Sequence, residues 1–253
     1  NGNEEVSSII RYIWNRRVKM YNRLADCKLG DSQKACVAKF GQQVLQDPKM
    51  QVIHPAINME KFDPAAYDRQ EAISHFQVDP EKCNLVHVGR LCAVKNQPFL
   101  IDVLAAVLQA KAACLYIVGN GEDHKQKLIA YAEEKGVLEH VRFLPGDTNV
   151  PFLLTAMDVS LLPSFSEAFG MVAVESQLMG VPCIASTHVP RDVDVGMCRF
   201  LPIDQGADIW KTEILLRPQQ VLDKKKAETF HIRCIIKKLE CLFYGDHPKN
   251  SSS

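Results

Sequence analysis

From residue 84 onward the chain alternates short apolar runs with longer stretches of mixed character. The runs 84–88 (NLVHV), 114–118 (CLYIV), 141–144 (VRFL), 159–162 (VSLL) and 182–186 (PCIAS) are apolar and rich in β-branched residues. Short continuous runs of this kind suit strands that are covered on both faces. Between them, 98–110, 123–136, 150–156 and 170–180 carry apolar residues at helical spacing. Pro98 suits a first helical turn, and Gly136 and Gly180 suit helix ends. Strand–helix alternation of this kind predicts an α/β fold with a doubly wound parallel sheet, Rossmann-like, over 83–217.

Residues 1–58 follow a different pattern. Spacing predicts a basic helix over 6–24, with Ile9, Ile10, Ile13, Trp14, Val18 and Tyr21 available for an apolar stripe. A short strand at 27–29, a helix through Phe40 and a strand at 51–53 follow, too little to close a core alone. Residues 59–82, with Pro64 and Pro80, read as a connecting segment. The remainder, 218–253, reads as one long helix over 221–244 and a frayed tail at 250–253. The lysine runs at 224–226 and 237–238 are read as a solvated helix face, with an anionic membrane surface as the second reading.

The 30 basic and 30 acidic residues give a formal net charge of zero. Without a long-range positive field, nucleic acid is not an expected partner. Apolar stretches such as 99–110 stop well short of the roughly 20 residues that span a bilayer. The chain starts Asn1-Gly2-Asn3-Glu4-Glu5, with neither an initiator Met nor a basic segment ahead of an apolar run. It is therefore expected to be a piece of a longer sequence, with no signal peptide. The cysteine count is odd, at nine, and no Cys-x-x-Cys occurs. That favours free thiols in a reduced, cytosolic compartment over a disulfide framework or zinc site. Cys83, Cys114, Cys183 and Cys198 fall in or beside strand-like runs, where free Cys acts as a small hydrophobe.

Two blocks carry chemistry. In the first, Gly89-Arg90-Leu91-Cys92-Ala93-Val94-Lys95-Asn96 lies between a predicted strand and a predicted helix. Two cations in such a loop, just before a helix N-terminus, can grip a diphosphate from two sides; alternatively both are surface charges. The second block, Pro163-Ser164-Phe165-Ser166-Glu167-Ala168-Phe169-Gly170-Met171-Val172, also joins strand to helix, and Glu175 follows on the helix. Two carboxylates around an amide-lined cradle suit an anion that carries hydroxyl-rich groups on each side. The plainer alternative is a helix-terminal charge for Glu167 and an exposed helix residue for Glu175.

In order, Val88-Gly89-Arg90…Lys95-Asn96, Val118-Gly119-Asn120-Gly121, Phe143-Leu144, Met157-Asp158…Pro163-Ser164 and Glu167…Glu175 resemble the donor-binding domain of family-4 retaining glycosyltransferases. The stretch EAFGMVAVESQLMGVPCIAS is similar to that family's Glu-x7-Glu motif and its following strand. Ala156-Met157-Asp158-Val159, Glu175-Ser176-Gln177 and Gly180-Val181-Pro182-Cys183-Ile184 look most like bacterial capsular and exopolysaccharide enzymes. Upstream, Ala25-Asp26-Cys27, Lys39-Phe40-Gly41 and Val52-Ile53-His54-Pro55-Ala56-Ile57-Asn58 resemble the end of such an enzyme's N-terminal domain. The resemblance covers roughly residues 25–215.

The resemblance implies the C-terminal half of a GT-B fold, with 1–58 a remnant of the acceptor domain and 59–82 the crossover. It implies an enzyme of the hexosyltransferase type, moving a sugar from a nucleotide-sugar donor, UDP-linked by default, to a growing polysaccharide, glycan or lipid-linked acceptor. Carried over residue by residue, Arg90 and Lys95 bind the diphosphate and stabilise the leaving charge, Glu167 holds sugar hydroxyls, and Glu175 holds the ribose. Gly89 and the backbone around Ala168, Phe169, Gly170, Met171 and Val172 line the phosphates, and Leu144 and Pro145 border the base. Pro145 and Ala168 depart from the Gly more usual in the family at each place; Ala168 is tolerated there if its φ is negative. No metal or cofactor is implied. The expected location is the cytoplasm or the inner face of a membrane, with self-association through the first helix as a further expectation. Because most of the acceptor domain is missing, weak turnover by this chain alone is expected.

Other readings differ in testable ways. A nicotinamide oxidoreductase needs a third glycine after Gly119-Asn120-Gly121, and the chain continues Glu122-Asp123-His124. Asp192-Val193-Asp194 mimics a metal-binding Asp-x-Asp but is expected after the last strand, in solvent. A sugar-nucleotide epimerase and a non-catalytic nucleotide-sugar binding module remain open alternatives. His87, in mid-strand, is read as a core residue rather than a base.

Overall fold

A computed structural model describes residues 2–217 and 220–244, without the side chains of 2–11 and 22. The chain divides into two compact units, one of Ala56–Ile236 and the other of Asn1–Pro55 with Lys237–Ser253. In the second, smaller unit, helix α1 (Gly2–Leu24) precedes strand β1 (Lys28–Gly30), helix α2 (Gln33–Phe40) and strand β2 (Met50–Val52). β1 and β2 pair in parallel, and Cys36, Phe40 and Val44 form a small buried cluster. Ser32 starts α2 by accepting the Ala35 N–H at 3.1 Å. On α1, Ile13, Trp14 and Tyr21 are exposed and Val18 is half-buried, while the side chains of Ile9 and Ile10 lie outside the described residues.

The larger unit opens with helix α3 (Arg69–Phe76), inside the stretch expected to be a plain connection. Asp68 caps it, accepting the Glu71 N–H at 2.8 Å. There follow β3 (Cys83–Val88), α4 (Gln97–Leu108), β4 (Ala113–Val118), α5 (Glu122–Glu134), β5 (Val141–Leu144), α6 (Val150–Leu154), β6 (Val159–Leu162), α7 (Met171–Leu178), β7 (Cys183–Ser186), β8 (Cys198–Leu201) and α8 (Ala207–Leu216). The sheet order is β5-β4-β3-β6-β7-β8, and every pairing is parallel. The five expected strands are all present, each within a residue of its expected bounds. The doubly wound parallel sheet is thus the observed fold.

Helices cover both faces, which is why the central strands are buried and mostly apolar, with Asn84, His87, Ser160 and Ser186 as buried polar residues among them. Leu85, Leu115, Ile117, Leu161 and Ile184 belong to the cluster that includes Leu100, Leu104 and Trp210. Val86, Tyr116 and Val118 belong to another, with Leu153 and Leu154. Each fully buried aliphatic side chain contributes about 1.5–3 kcal/mol relative to leaving it in water. Cys83, Cys114, Cys183 and Cys198 are all buried, as expected of small hydrophobes, and the nine cysteines form no disulfide.

Two expectations are corrected here. Asp192-Val193-Asp194 does not follow the last strand but precedes β8, and neither carboxylate is freely solvated. Asp194 Oδ1 accepts the N–H groups of Gly196 (2.8 Å) and Cys198 (3.2 Å), so it shapes the turn into that strand. The single helix over 221–244 is instead two, α9 (Lys224–Glu228) and α10 (Ile232–Tyr244). The chain breaks between them to bury Phe230, whose ring packs on Phe169 at 5.6 Å and whose carbonyl accepts the Ile57 N–H at 2.8 Å. The lysines at 224–226 and 237–238 are exposed. The expected tail at 250–253 lies outside the described residues. None of the helices among the described residues is long and apolar enough to cross a membrane.

Candidate functional site

The strand order reverses between β3 and β6, so the loops leaving their carboxyl ends run to opposite sides of the sheet. Ligands of open parallel sheets sit at such a switch point. The loop after β3 carries Gly89, Arg90 and Lys95; the loop after β6 carries Ser164, Glu167, Ala168 and Phe169 and ends at α7. Main-chain bonds knit the neighbouring loops together. Gly89 N–H reaches Val118 O (3.0 Å), Leu91 N–H reaches Asn120 O (2.9 Å), and Phe165 N–H reaches Val94 O (2.9 Å). A Cβ on Gly119 would stand 2.0 Å from the Gly89 carbonyl oxygen, so only glycine permits this approach.

Lys95 closes a short 3₁₀ turn, after which Asn96 takes the left-handed conformation (φ 54°) and starts α4. The Lys95 ammonium lies 2.6 Å from Glu167 Oε1, across the switch point. Their side chains are only 18% and 10% exposed, so the pair is more strongly coupled than a surface ion pair. Ser164, fully buried, donates its hydroxyl to the same Oε1 at 2.7 Å. Glu167 Oε2 has no hydrogen bond among the described residues. Arg90 is exposed and makes no ion pair among them, but its carbonyl accepts a hydrogen bond from buried Gln97 at 2.8 Å. The loop backbone is thus fixed while the guanidinium stays available.

Gly170, at φ 102°, caps α7 without any side-chain hydrogen bond. The N–H groups of Met171 and Val172, in the first turn, therefore have no helical partner and form the positive end of the helix dipole. Ala168 is exposed and is not among the residues of positive φ, which meets the condition for its methyl group. Phe169 is buried and anchors the loop. Glu175 is half-buried, and burial pushes its carboxyl pKa up, opposed by the charge of Lys61. It is not an exposed helix residue.

Leu144 and Pro145 border a cavity of about 340 Å³ with Leu91, Gly119, Asn120, Gly121 and Lys125. Asn120 Oδ1 accepts the Gly146 N–H at 2.9 Å, tying the loop after β4 to the loop after β5. The Leu144 carbonyl already accepts the Gly119 N–H at 3.1 Å. His87 is fully buried beneath this region. Its Nδ1 lies 2.9 Å from Leu161 O, and burial pushes its pKa down to about 4. It is a neutral core strut, as its mid-strand position suggests.

The structure therefore joins Lys95 to Glu167 and puts Arg90, Leu144, Pro145 and the start of α7 on loops at the same end of the sheet. Glu175 stays apart from the pair, without a hydrogen bond to it. Ser164, Gln97 and Asn120 are the supporting residues whose roles sequence reasoning missed; a small polar side chain at a strand end gives no signal before its partners are known. Among the described residues, no group of three or more His, Cys, Asp or Glu could hold a metal ion.

Residues 68–193 match the family model described as glycosyl transferases group 1. The D-inositol 3-phosphate glycosyltransferase of Mycobacterium marinum is 32% identical over 177 residues, which are 66% of this chain and 37% of that protein. The crystal structure of Anabaena Alr3699/HepE in complex with UDP and glucose superposes with a TM-score of 0.72 at 22% identity, covering 90% of this chain and 66% of that one. A solved C-terminal domain of a group 1 family protein, LpcC of Francisella tularensis, is covered over its whole length (TM-score 0.53, 21% identity, 76% of this chain). The chain thus spans little more than a third of the first relative's length.

Proposed function

This chain belongs to the group 1 glycosyltransferases, and from that premise we propose that it holds the nucleotide-sugar donor of a retaining sugar transfer. The observation that carries the reading is the Lys95–Glu167 pair at the sheet's switch point, on the loop that leads into the uncapped start of α7.

In the proposed reaction the bond between the sugar C1 and the diphosphate oxygen breaks, and its electron pair leaves with the diphosphate. Arg90 and Lys95, with the amides of Gly170, Met171 and Val172, take up that growing negative charge. Fixed cations and dipoles there lower the barrier because they are already oriented. Glu167 accepts hydrogen bonds from sugar hydroxyls, and Glu175 from the ribose. The loop with Leu144 and Pro145 borders the base. A hydroxyl oxygen of the acceptor, a glycan or lipid-linked sugar, forms the new bond to C1 on the face the diphosphate leaves, and its proton passes to the departing diphosphate. On this reading the protein works in the cytoplasm, with its basic helices open to an anionic membrane surface.

A thermal-shift series with UDP, GDP, ADP and CMP tests the reading. A ligand at about 100 times its dissociation constant stabilises the fold by about 2.7 kcal/mol. UDP is expected to raise the midpoint, and Arg90→Ala and Glu175→Ala to abolish the rise. A chain indifferent to all four nucleotides would sink the proposal. Release of free UDP only when an acceptor is added separates a transferase from a binding module or an epimerase.

A further inference from the structure

The two oxygens of Glu167 stand in different situations. Oε1 accepts from both Lys95 (2.6 Å) and Ser164 (2.7 Å), while Oε2 accepts from no described residue. A diphosphate arriving at Lys95 competes with Glu167 for the ammonium, and it carries more charge than one carboxylate. The ammonium has three protons and can serve both, but its flexible stem shifts as it does so, whereas Ser164 keeps its place beside a carboxylate that is only 10% exposed. A desolvated carboxylate without a donor is costly and turns to find one.

Ser164 is itself immobile. It is fully buried at the end of β6, and its carbonyl accepts the hydroxyl of Ser186 from the end of β7. Ser186 Oγ in turn accepts the His188 N–H at 3.2 Å. The next residue, Phe165, is pinned to Val94 through its N–H at 2.9 Å. The hydroxyl that holds Glu167 is therefore fixed by the core of the sheet, whatever Lys95 does.

We propose that Ser164 is the positioning residue of Glu167: by tying down Oε1 it presents Oε2 to the donor's sugar, and so sets the preference for a nucleotide sugar over a bare nucleoside diphosphate. This rests on the donor-site reading above. Ser164 touches no substrate and acts through Glu167 alone.

The test is calorimetric titration of the chain with UDP and with UDP-glucose, for the wild type, Ser164→Ala, Glu167→Ala and the double variant. A hydrogen bond to a charged group is worth enough that Ser164→Ala should weaken UDP-glucose about tenfold. UDP itself should change by less than about twofold, since a phosphate can bond the ammonium's other protons and leave Lys95 paired with Glu167, so that only the sugar depends on where Oε2 points. In the Glu167→Ala background the Ser164 substitution should have no further effect, because the coupling is pairwise. Ser164→Cys fills the buried volume with a weaker donor and should fall between wild type and Ser164→Ala. Equal weakening of both ligands, or an undiminished Ser164 effect without Glu167, would mean a merely structural residue and would overturn the proposal. If the wild type binds no UDP at all, the donor-site reading fails and this inference falls with it. If UDP binds but the ratio of the two affinities does not move, only the role of Ser164 fails.

Discussion

His87 sits at the middle of the sheet with its charge suppressed. Burial is the main cause, and the nearby charge of Lys95 adds to it, outweighing the carbonyl of Leu161 and the carboxylate of Glu167. An unfolded chain takes up the proton near the ordinary value of 6.5, whereas the folded chain resists until about 4. The unfolded state thus binds more protons in that interval. Stability is full above 6.5 and falls as the pH drops towards 4, by about 3 kcal/mol on the order of 1.4 kcal/mol per unit. His87→Gln should remove this part of the acid sensitivity while lowering stability at neutral pH by about 1 kcal/mol. Thermal midpoints of both proteins across the interval check it; parallel curves would show that His87 does not titrate on unfolding. The case also shows what single residues disclose. Arg90, Lys95 and Glu167 are legible as charges set beside strand ends, and Glu175 as a second carboxylate on the helix that follows. Ser164 is not, because a hydroxyl means little until its partners are known.

The elements owe their legibility to burial. β3, β4, β6 and β7 lie inside the sheet, are covered on both faces, and read as short, largely apolar runs. β5 and β8 both lie at the edges and each carries an exposed arginine, Arg142 and Arg199; β5 is marked out by the α-helices before and after it, whereas β8 follows β7 with no α-helix between them, so the alternation fades there. α3 buries only Ala72 and therefore has no stripe to detect. The break between α9 and α10 follows from burying Phe230, a long-range packing demand that local spacing does not encode. Close approach between elements is similarly invisible until the loops meet. Gly119 is the strongest instance, since its added Cβ would overlap the Gly89 carbonyl. Gly119→Ala should therefore force the loops after β3 and β4 apart and cost about 3 kcal/mol, at the upper end of overpacking effects. It should also weaken UDP binding, because Gly89 and Arg90 move with the loop. Chemical denaturation together with UDP titration measures both, and a neutral substitution would mean that the loops are not held as described.

At the scale of the whole molecule, the division of the cores decides what can stand alone. The three larger hydrophobic clusters lie entirely within Ala56–Ile236, together with the six-stranded sheet and every candidate site residue. The other unit centres on Cys36, Phe40 and Val44, too small a core to be stable by itself. Residues 56–236 expressed alone should therefore fold cooperatively and bind UDP within about twofold of the full chain, well under 1 kcal/mol. The cut at 236 falls inside α10 but keeps Ile235, the one buried side chain of that helix. The fragment also lacks the exposed Ile13, Trp14 and Tyr21 of α1, which recur at helical spacing and offer apolar side chains of the kind that drive association. We therefore expect the full chain to self-associate as its concentration rises and the fragment to elute as a monomer. Circular dichroism melting, UDP titration and size-exclusion chromatography on both proteins decide it. A fragment that folds but does not bind would place part of the donor site in the other unit, and a fragment that still self-associates would clear α1 of that role.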